Sequence, residues 1–168
     1  MPRTPPTVIS LPAAADHVGG PWDGAQAIVL HHTGGRDSRA WLTRTSRPPV
    51  SVHTLIPKDG TVVRIVPDGV NAWHVGGSRL GVHGPNERAG SCNEICFGIE
   101  IENLGDGKDP YTDEQYWSVG WQVADWWNKA GRALPVITHA LIDLAGKRDP
   151  YACDLARVLR CVLAWYDG

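Results

Sequence analysis

The chain alternates between short apolar runs of strand length and connections rich in glycine, proline or charge. The runs "AQAIVLHH" and "ICFGIEIEN" contain many β-branched residues and are typical of buried strands. The segment "VSVHTLIPKDGTVVRIV" predicts a hairpin, because the Asp-Gly step at its centre favours a turn with positive φ. A shorter run, "PVIT", predicts one more buried strand.

Helical signals are clearest in "YTDEQYWSVGWQVADWWNKAG". Thr112 is the predicted N-cap, Gln115 completes a capping box, and Gly131 is expected to end the helix. A second helix is predicted from about Asp154 to Trp165, and a short one within "TGGRDSRAWLTRTS".

The remaining segments predict how the chain is organised. Residues 1–25 are expected to form an irregular N-terminal extension, since proline and glycine interrupt them. Residues 67–94 are predicted to form a long loop, and loops of that length are often functional. No repeat and no linker divides the chain, so residues 1–168 are predicted to form a single catalytic domain.

Strand alternation limits which side chains can meet. Successive strand residues point to opposite faces, so His31 and His32 cannot both point into one site. In "CFGIEIEN", Glu100 and Glu102 share the face opposite the apolar residues. Two such carboxylates are either exposed to solvent or, if that face lines a cleft, available for chemistry.

The segment "VITHALIDLAGKRDPYACD" has a structural and a chemical interpretation. It is either a buried strand, a solvated loop and a helix start, or a loop in which His139 and Asp149 bind a metal beside Lys147. Together with His31 it would provide three ligands, as in catalytic zinc sites with a fourth position for water. Lys147 could then stabilise an oxyanion, while Glu100 accepts the proton of the water and passes it to the leaving amine.

Composition and charge exclude several classes of function. With a net charge of -2, the chain has no excess of basic residues for binding nucleic acid, and it has no basic tail for an anionic membrane surface. The N-terminus lacks the long apolar run of a secretory signal or membrane span, which predicts a cytoplasmic protein. Some of the eight tryptophans could line a groove for sugar or peptide, whereas a core position is favoured for the cluster Trp117, Trp121, Trp126 and Trp127.

The four cysteines do not have zinc-finger spacing. In a reducing compartment they are expected to be buried thiols. They are Cys92, Cys96, Cys153 and Cys161.

Several motifs together resemble one enzyme family. They are "IVLHHTGG", "VSVHTLIPKDGTVVRIVPDGVNAWHVGGS", "SCNEICFGIEIEN", "YTDEQY" and "THALIDLAGKRDP", and they lie in family order between Ala27 and Leu159. The family is the zinc-dependent N-acetylmuramoyl-L-alanine amidases, which include phage lysozyme-type amidases, peptidoglycan recognition proteins and bacterial cytoplasmic anhydromuramyl amidases. The resemblance implies an α/β fold with a central mixed β-sheet flanked by helices and a zinc groove on one face.

The resemblance also implies roles for individual residues, including the ligands of one zinc ion per chain. It implies His31, His139 and Asp149 as zinc ligands, Glu100 and Lys147 as catalytic residues, and Trp73 and His74 as part of the substrate groove.

Three positions depart from the pattern of particular relatives. Val52 stands where many phage and recognition-protein relatives have a catalytic Tyr, which favours Glu100 as the base and the cytoplasmic branch. Ser91 and Gly146 stand where the cytoplasmic amidases have Arg, which weakens a recycling role. The other histidines are His53, expected to be a structural strand residue, and His17 and His83, which have no assigned role.

The favoured function is a zinc hydrolase that cleaves the amide bond between N-acetylmuramic acid and L-alanine, as a monomer acting on peptidoglycan or muropeptides. A phage or prophage endolysin is preferred, and a cytoplasmic amidase that recycles anhydromuropeptides is the alternative. A peptidoglycan-binding module without activity is less favoured, because the three ligands and Lys147 are all present.

Overall fold

A six-stranded mixed sheet forms the centre of the molecule, in a computed structural model that describes residues 4–22, 24–76, 92–143 and 146–166. The strands in chain order are β1 (Val8–Ser10), β2 (Val18–Pro21), β3 (Ala27–His32), β4 (Thr54–Ile56), β5 (Val62–Arg64), β6 (Val70–Ala72), β7 (Cys96–Ile101) and β8 (Val136–Thr138). The main sheet has the order β1-β5-β4-β7-β3-β8, whereas β2 and β6 form a separate antiparallel pair. Neighbours in the main sheet are parallel, except for the β4–β5 hairpin.

The α-helices of the described residues are α1 (Asp113–Ala130), α2 (His139–Ile142) and α3 (Leu155–Leu163). The predicted capping box of α1 is present, because Thr112 and Gln115 each accept a hydrogen bond from the backbone N–H of the other. Gly131 ends this helix with a φ of 63°, and Asp154 is the N-cap of α3. A π-helical turn at Trp41–Thr45 occupies the segment where a short helix was expected. The predicted α/β fold with a central mixed sheet and helices is therefore confirmed.

The main core lies between the sheet and the two long helices. Alternate residues of β3 and β7 pack there against α1 and α3, namely Ile28, Leu30, Phe97, Ile99 and Ile101. Trp126 and Trp127 belong to the same cluster, so the core interpretation holds for these two tryptophans. The opposite face of β3 and β7 carries a smaller apolar cluster and, at its C-terminal end, His31 and Glu100.

Two predictions about irregular segments were wrong. Part of the N-terminal extension is regular, because β1 pairs in parallel with β5 and β2 pairs with β6. The expected loop of residues 67–94 contributes β6. These strands have only three or four residues, and β2 contains Gly and Pro, so the local sequence gives little strand signal and only pairing with distant parts of the chain reveals them. His83 and Ser91 lie outside the described residues.

The cysteine prediction was partly wrong. None of the four forms a disulfide, and all four positions are described, but only Cys92 and Cys96 are buried, whereas Cys153 and Cys161 are half-buried. None of the helices that the structure describes has both the length and the hydropathy needed to cross a membrane.

Candidate active site

The C-terminal ends of two neighbouring parallel strands bring two histidines together. His31 lies near the end of β3, and His139 begins α2 directly after β8. Since Leu30 is in register with Thr138, the residues that follow them emerge at the same edge of the sheet. Asp149 reaches this edge from the connection between α2 and α3.

These three side chains each direct one atom at a common centre. His31 Nδ1 lies 3.1 Å from His139 Nδ1 and 3.0 Å from Asp149 Oδ2, and His139 Nδ1 lies 2.9 Å from the same oxygen. The residues are buried, with exposed fractions of 1%, 6% and 8% for His31, His139 and Asp149. Among the described residues, these two histidines and one aspartate form a group that could hold a metal ion.

The chemistry and spacing of this donor set fit zinc. Tetrahedral ligand atoms about 2.0–2.1 Å from zinc lie roughly 3.3 Å from one another. Burial lowers the pKa of His31 to about 4, so its ring is neutral at pH 7. Burial raises the pKa of Asp149, but its contacts with His139 and His31 outweigh this effect and hold the pKa below its usual range. A carboxylate and two imidazole nitrogens directed at one point form a site for a cation.

The loop that carries Asp149 is held against the sheet by two hydrogen bonds. The N–H of Ala140 donates to the carbonyl of Asp149 at 2.9 Å. The N–H of Tyr151 donates to Nδ1 of His32 at 3.1 Å. The two consecutive histidines therefore contact different partners: His31 faces Asp149 itself, and His32 anchors the backbone two residues further along.

Glu100 faces the same centre from the adjacent strand. It is in register with His31 on β7, so the two side chains share one face of the parallel pair. Its Oε2 is buried and has no hydrogen-bond partner among the described residues. Burial, reinforced by the negative charge of Asp149, raises the pKa of Glu100 to about 8, against the opposing charge of Lys147. Such a carboxyl group can take up or release a proton near neutral pH.

Glu102 shares this face of the strand but has a different environment. It lines an open cavity of about 270 Å³ and lies 3.9 Å from the guanidinium of Arg36. The two glutamates that the sequence could not distinguish are thus an enclosed carboxyl group beside the cluster and an ion-paired one further along the strand.

Lys147 lies on the exposed part of the loop that carries Asp149. Its backbone N–H donates to Oδ2 of Asp143 at 2.9 Å. Its positive charge lowers the pKa values of both Glu100 and His31, so the ammonium group acts electrostatically on the cluster.

Trp73 and His74, both predicted to line the substrate groove, differ in exposure. Trp73 is 36% exposed, and its backbone N–H donates to Oγ of Ser51 at 3.0 Å. His74 is only 6% exposed, and its Nδ1 lies 2.9 Å from Nε2 of His31. The groove assignment of both residues stays a prediction, and the ring of His74 lies directly behind His31.

Asn93 supports this arrangement, although its role was not predicted from the sequence. Asn93 accepts hydrogen bonds at its Oδ1 from the backbone N–H groups of His74 and Val75, at 2.9 and 3.0 Å. The signal was present, since Asn93 belongs to the quoted "SCNE" motif, but a local pattern does not show which distant backbone an amide will contact.

The two structural predictions close to the site agree with the geometry. His53 is 1% exposed, accepts the N–H of Gly98 at Nδ1 and donates from Nε2 to the carbonyl of Val70, so it is a structural residue between strands. Val52 is fully buried in an apolar cluster, and this position provides no hydroxyl group.

Comparison with known proteins identifies the family. Residues 21–152 match the family model described as N-acetylmuramoyl-L-alanine amidase. The match covers most of the chain, including the buried cluster, Glu100 and Lys147. The chain therefore belongs to the N-acetylmuramoyl-L-alanine amidases, and the resemblance seen in its motifs is confirmed.

Two curated relatives have the same description. The chain is 34% identical over 153 residues to 1,6-anhydro-N-acetylmuramyl-L-alanine amidase AmpD of Escherichia coli (strain K12), covering 88% of this chain and 67% of the relative. It is 37% identical over 108 residues to the AmpD of Enterobacter cloacae, covering 64% of this chain and 51% of the relative. The chain thus spans between half and two thirds of the length of these relatives.

Solved structures have the same fold. The crystal structure of a selenomethionine derivative of AmpD has a TM-score of 0.75 and 26% identity, covering 96% of this chain and 95% of that chain. The amidase LysC of Clostridium intestinale URNW has a TM-score of 0.70 and 18% identity, covering 94% of this chain and 98% of that chain, a likeness of fold alone. The relatives thus favour the anhydromuramyl amidase alternative over the endolysin interpretation.

Proposed function

We propose that this chain is a zinc-dependent amidase that hydrolyses the bond between N-acetylmuramic acid and L-alanine in soluble anhydromuropeptides. The observation that carries the proposal is the convergence of His31, His139 and Asp149 on one centre, with Glu100 facing it from the next strand. The substrate class follows from the relatives, which are described as 1,6-anhydro-N-acetylmuramyl-L-alanine amidases. Under this proposal, residues 1–168 act as one monomeric catalytic domain with one zinc ion.

His31, His139 and Asp149 would hold the zinc ion. Bound there, zinc would supply Lewis-acid chemistry, polarising the scissile carbonyl and lowering the pKa of a water molecule to about 7. Glu100 faces the same centre, and its pKa of about 8 lets it exchange a proton close to neutral pH. In its carboxylate form it would accept a proton from the water and then return it to the nitrogen of the leaving amine.

Lys147 would stabilise the carbonyl oxygen of the amide that is cleaved. When water attacks an amide, negative charge develops on the carbonyl oxygen, and a nearby ammonium group stabilises it. Lys147 precedes Asp149 by two residues on the same exposed loop, which supports this role. With Val52 buried and apolar, Glu100 is the preferred general base.

The endolysin interpretation remains the second candidate for one reason. Gly146 directly precedes Lys147 and stands where the cytoplasmic amidases have Arg, so one contact to a small muropeptide would be missing. Intact peptidoglycan would then be the substrate, and the same zinc chemistry would apply.

A two-substrate assay tests the proposal and separates the candidates. Purified protein is given soluble anhydromuropeptides or intact sacculi, and products are identified by mass spectrometry. We expect release of the free peptide from the anhydromuropeptide, and much slower release from sacculi. Efficient peptide release from sacculi alone would favour the endolysin, and no release from either substrate would contradict the amidase proposal.

The His139→Ala variant is the matched control for this assay. It removes one proposed ligand without changing the rest of the groove, so any peptide release that survives in this variant comes from another site or a contaminant. Equal rates for parent and His139→Ala would also contradict the proposal.

A further inference from the structure

His74 contacts the back of the proposed ligand His31. His31 directs Nδ1 at the cluster and Nε2 at His74, whose Nδ1 lies 2.9 Å away. The other ring nitrogen of His74, Nε2, lies 3.2 Å from the carbonyl oxygen of Cys96. The two imidazole rings meet edge to face, with an interplanar angle of 87°. These contacts form a chain from the cluster to a backbone carbonyl.

The direction of the hydrogen bonds in this chain follows from its last member. A carbonyl oxygen can only accept, so Nε2 of His74 must carry the hydrogen that it donates to Cys96. In a neutral ring, Nδ1 of His74 then has a lone pair and accepts the hydrogen on Nε2 of His31. His31 is left with its lone pair on Nδ1, the atom directed at His139 and Asp149.

The position of His74 is itself held by two features. Its backbone and that of Val75 donate to Asn93, which fixes where the side chain leaves the main chain. The ring also lies against Gly98 of β7, because a Cβ added at Gly98 would meet Nδ1 of His74 at 2.6 Å. Because Gly98 has no side chain, there is room for the His74 ring against this strand.

We propose that His74 is a positioning residue for the metal ligand His31. By accepting the hydrogen on Nε2 of His31, it fixes the tautomer and orientation of that ring so that Nδ1 faces the metal. This inference rests on the proposed zinc centre. Removing such partners of metal-bound histidines typically weakens metal affinity about 10–100-fold.

His53 provides a matched comparison within the same part of the fold. Its ring centroid lies 5.9 Å from that of His74, and it is also buried, but its hydrogen bonds go to the backbone of Gly98 and Val70. A variant at His53 therefore disturbs the packing around the strands without removing the contact to His31.

The experiment measures zinc affinity of the purified full chain by competition with a chromophoric chelator. We expect His74→Leu to bind zinc about 10–100-fold more weakly than the parent. We expect His74→Gln to recover part of the loss, because its amide can accept from one partner and donate to the other. His53→Leu should lower the melting temperature and leave zinc affinity near the parental value.

Gly98→Ala provides a second variant in case His74→Leu does not fold. The added methyl group would displace the His74 ring while all proposed ligands remain, so zinc affinity should again fall. Parental zinc affinity in a folded His74→Leu or Gly98→Ala protein would overturn the inference, as would an equal loss of affinity in His53→Leu. If even His31→Ala binds zinc like the parent, the metal centre of the proposed function is wrong instead.

Zinc affinity, measured together with KM at saturating zinc, distinguishes a positioning role of His74 from substrate contact. A substrate-binding His74 would raise KM in His74→Leu at saturating zinc and leave zinc affinity unchanged. That combination would also overturn the inference and restore the groove role expected from the sequence.

Discussion

The two faces of strands β3 and β7 are both enclosed, but they are built from different chemistry. The face toward α1 and α3 carries apolar side chains, such as the fully buried Leu30 and Ile99, with His32 only at the end of β3. The opposite face ends in His31, Glu100 and the ring of His74. Burial of apolar surface stabilises a fold by itself, whereas burial of polar groups costs free energy unless partners satisfy them. The polar side chains of the second face therefore stabilise the fold less than apolar side chains in the same positions would.

Glu100 illustrates this difference best. Its Oε2 is buried without a hydrogen-bond partner among the described residues, although buried polar atoms are usually satisfied. A group of this kind next to a cluster of metal-ligand type indicates a reactive carboxyl group rather than a structural one.

The largest expected effect comes from removing the carboxylate of the cluster. Asp149→Ala should lose both bound zinc and amidase activity, because two imidazoles alone do not complete the proposed ligand set. Metal analysis and peptide-release assays measure the two losses. Cys153→Ser is the control and should keep both; if it loses zinc instead, the assignment of the third ligand is wrong.

Removing the proton carrier should affect turnover but not the metal. Glu100→Gln keeps the shape of the side chain and cannot accept a proton, so kcat should fall about 10²–10⁴-fold while zinc content stays at one per chain. Glu102→Gln, on the same face but ion-paired with Arg36, should have a milder effect. A near-parental kcat for Glu100→Gln would require another base.

A smaller loss is expected at the exposed edge of the site. Losing one oxyanion-stabilising group typically costs about 10²–10³-fold in rate. Lys147→Met should therefore lower kcat by this factor and leave zinc content and melting temperature nearly unchanged, since Lys147 is exposed and is not a proposed ligand. Arg148→Met, one position along the same loop, is the control and should change little. Parental activity of Lys147→Met would make this residue a solvated surface charge.

The smallest expected effect is on stability and depends on pH. The pKa of Glu100 is raised from 4.5 to about 8 in the fold, so the folded state holds this proton more tightly than the unfolded state. The stability gained by keeping the proton is fully present below pH 4.5 and is lost as pH rises through about 8.

Denaturant unfolding of the metal-free protein checks this sign. Glu100→Gln should be more stable than the parent at pH 8.5, on the order of a few kcal/mol, with a smaller difference at pH 5. Comparing the variant with the parent at each pH cancels the titration of His31, which both proteins share. A difference between the two proteins that does not change with pH would contradict a raised pKa for Glu100.

The sequence alone determined the parts of this protein whose signals are local. The capping box of Thr112 and Gln115 predicts the start of α1, because both partners lie within one helical turn. The alternation in "CFGIEIEN" correctly separates the apolar face from the face of Glu100, because side chains alternate in any strand. The motifs around His31, His139 and Asp149 identified the family, and these three residues lie together in the fold.

Only the tertiary structure decided what depends on contacts between distant residues. β1, β2 and β6 are short and contain no strong strand pattern, so their pairing partners and not their own residues define them. Glu100 and Glu102 are equivalent in the strand pattern, but their neighbours make one an enclosed acid and the other a member of an ion pair. The contact of His74 with His31 was not predicted, because hydrogen bonds between residues 43 positions apart leave no trace in a local pattern.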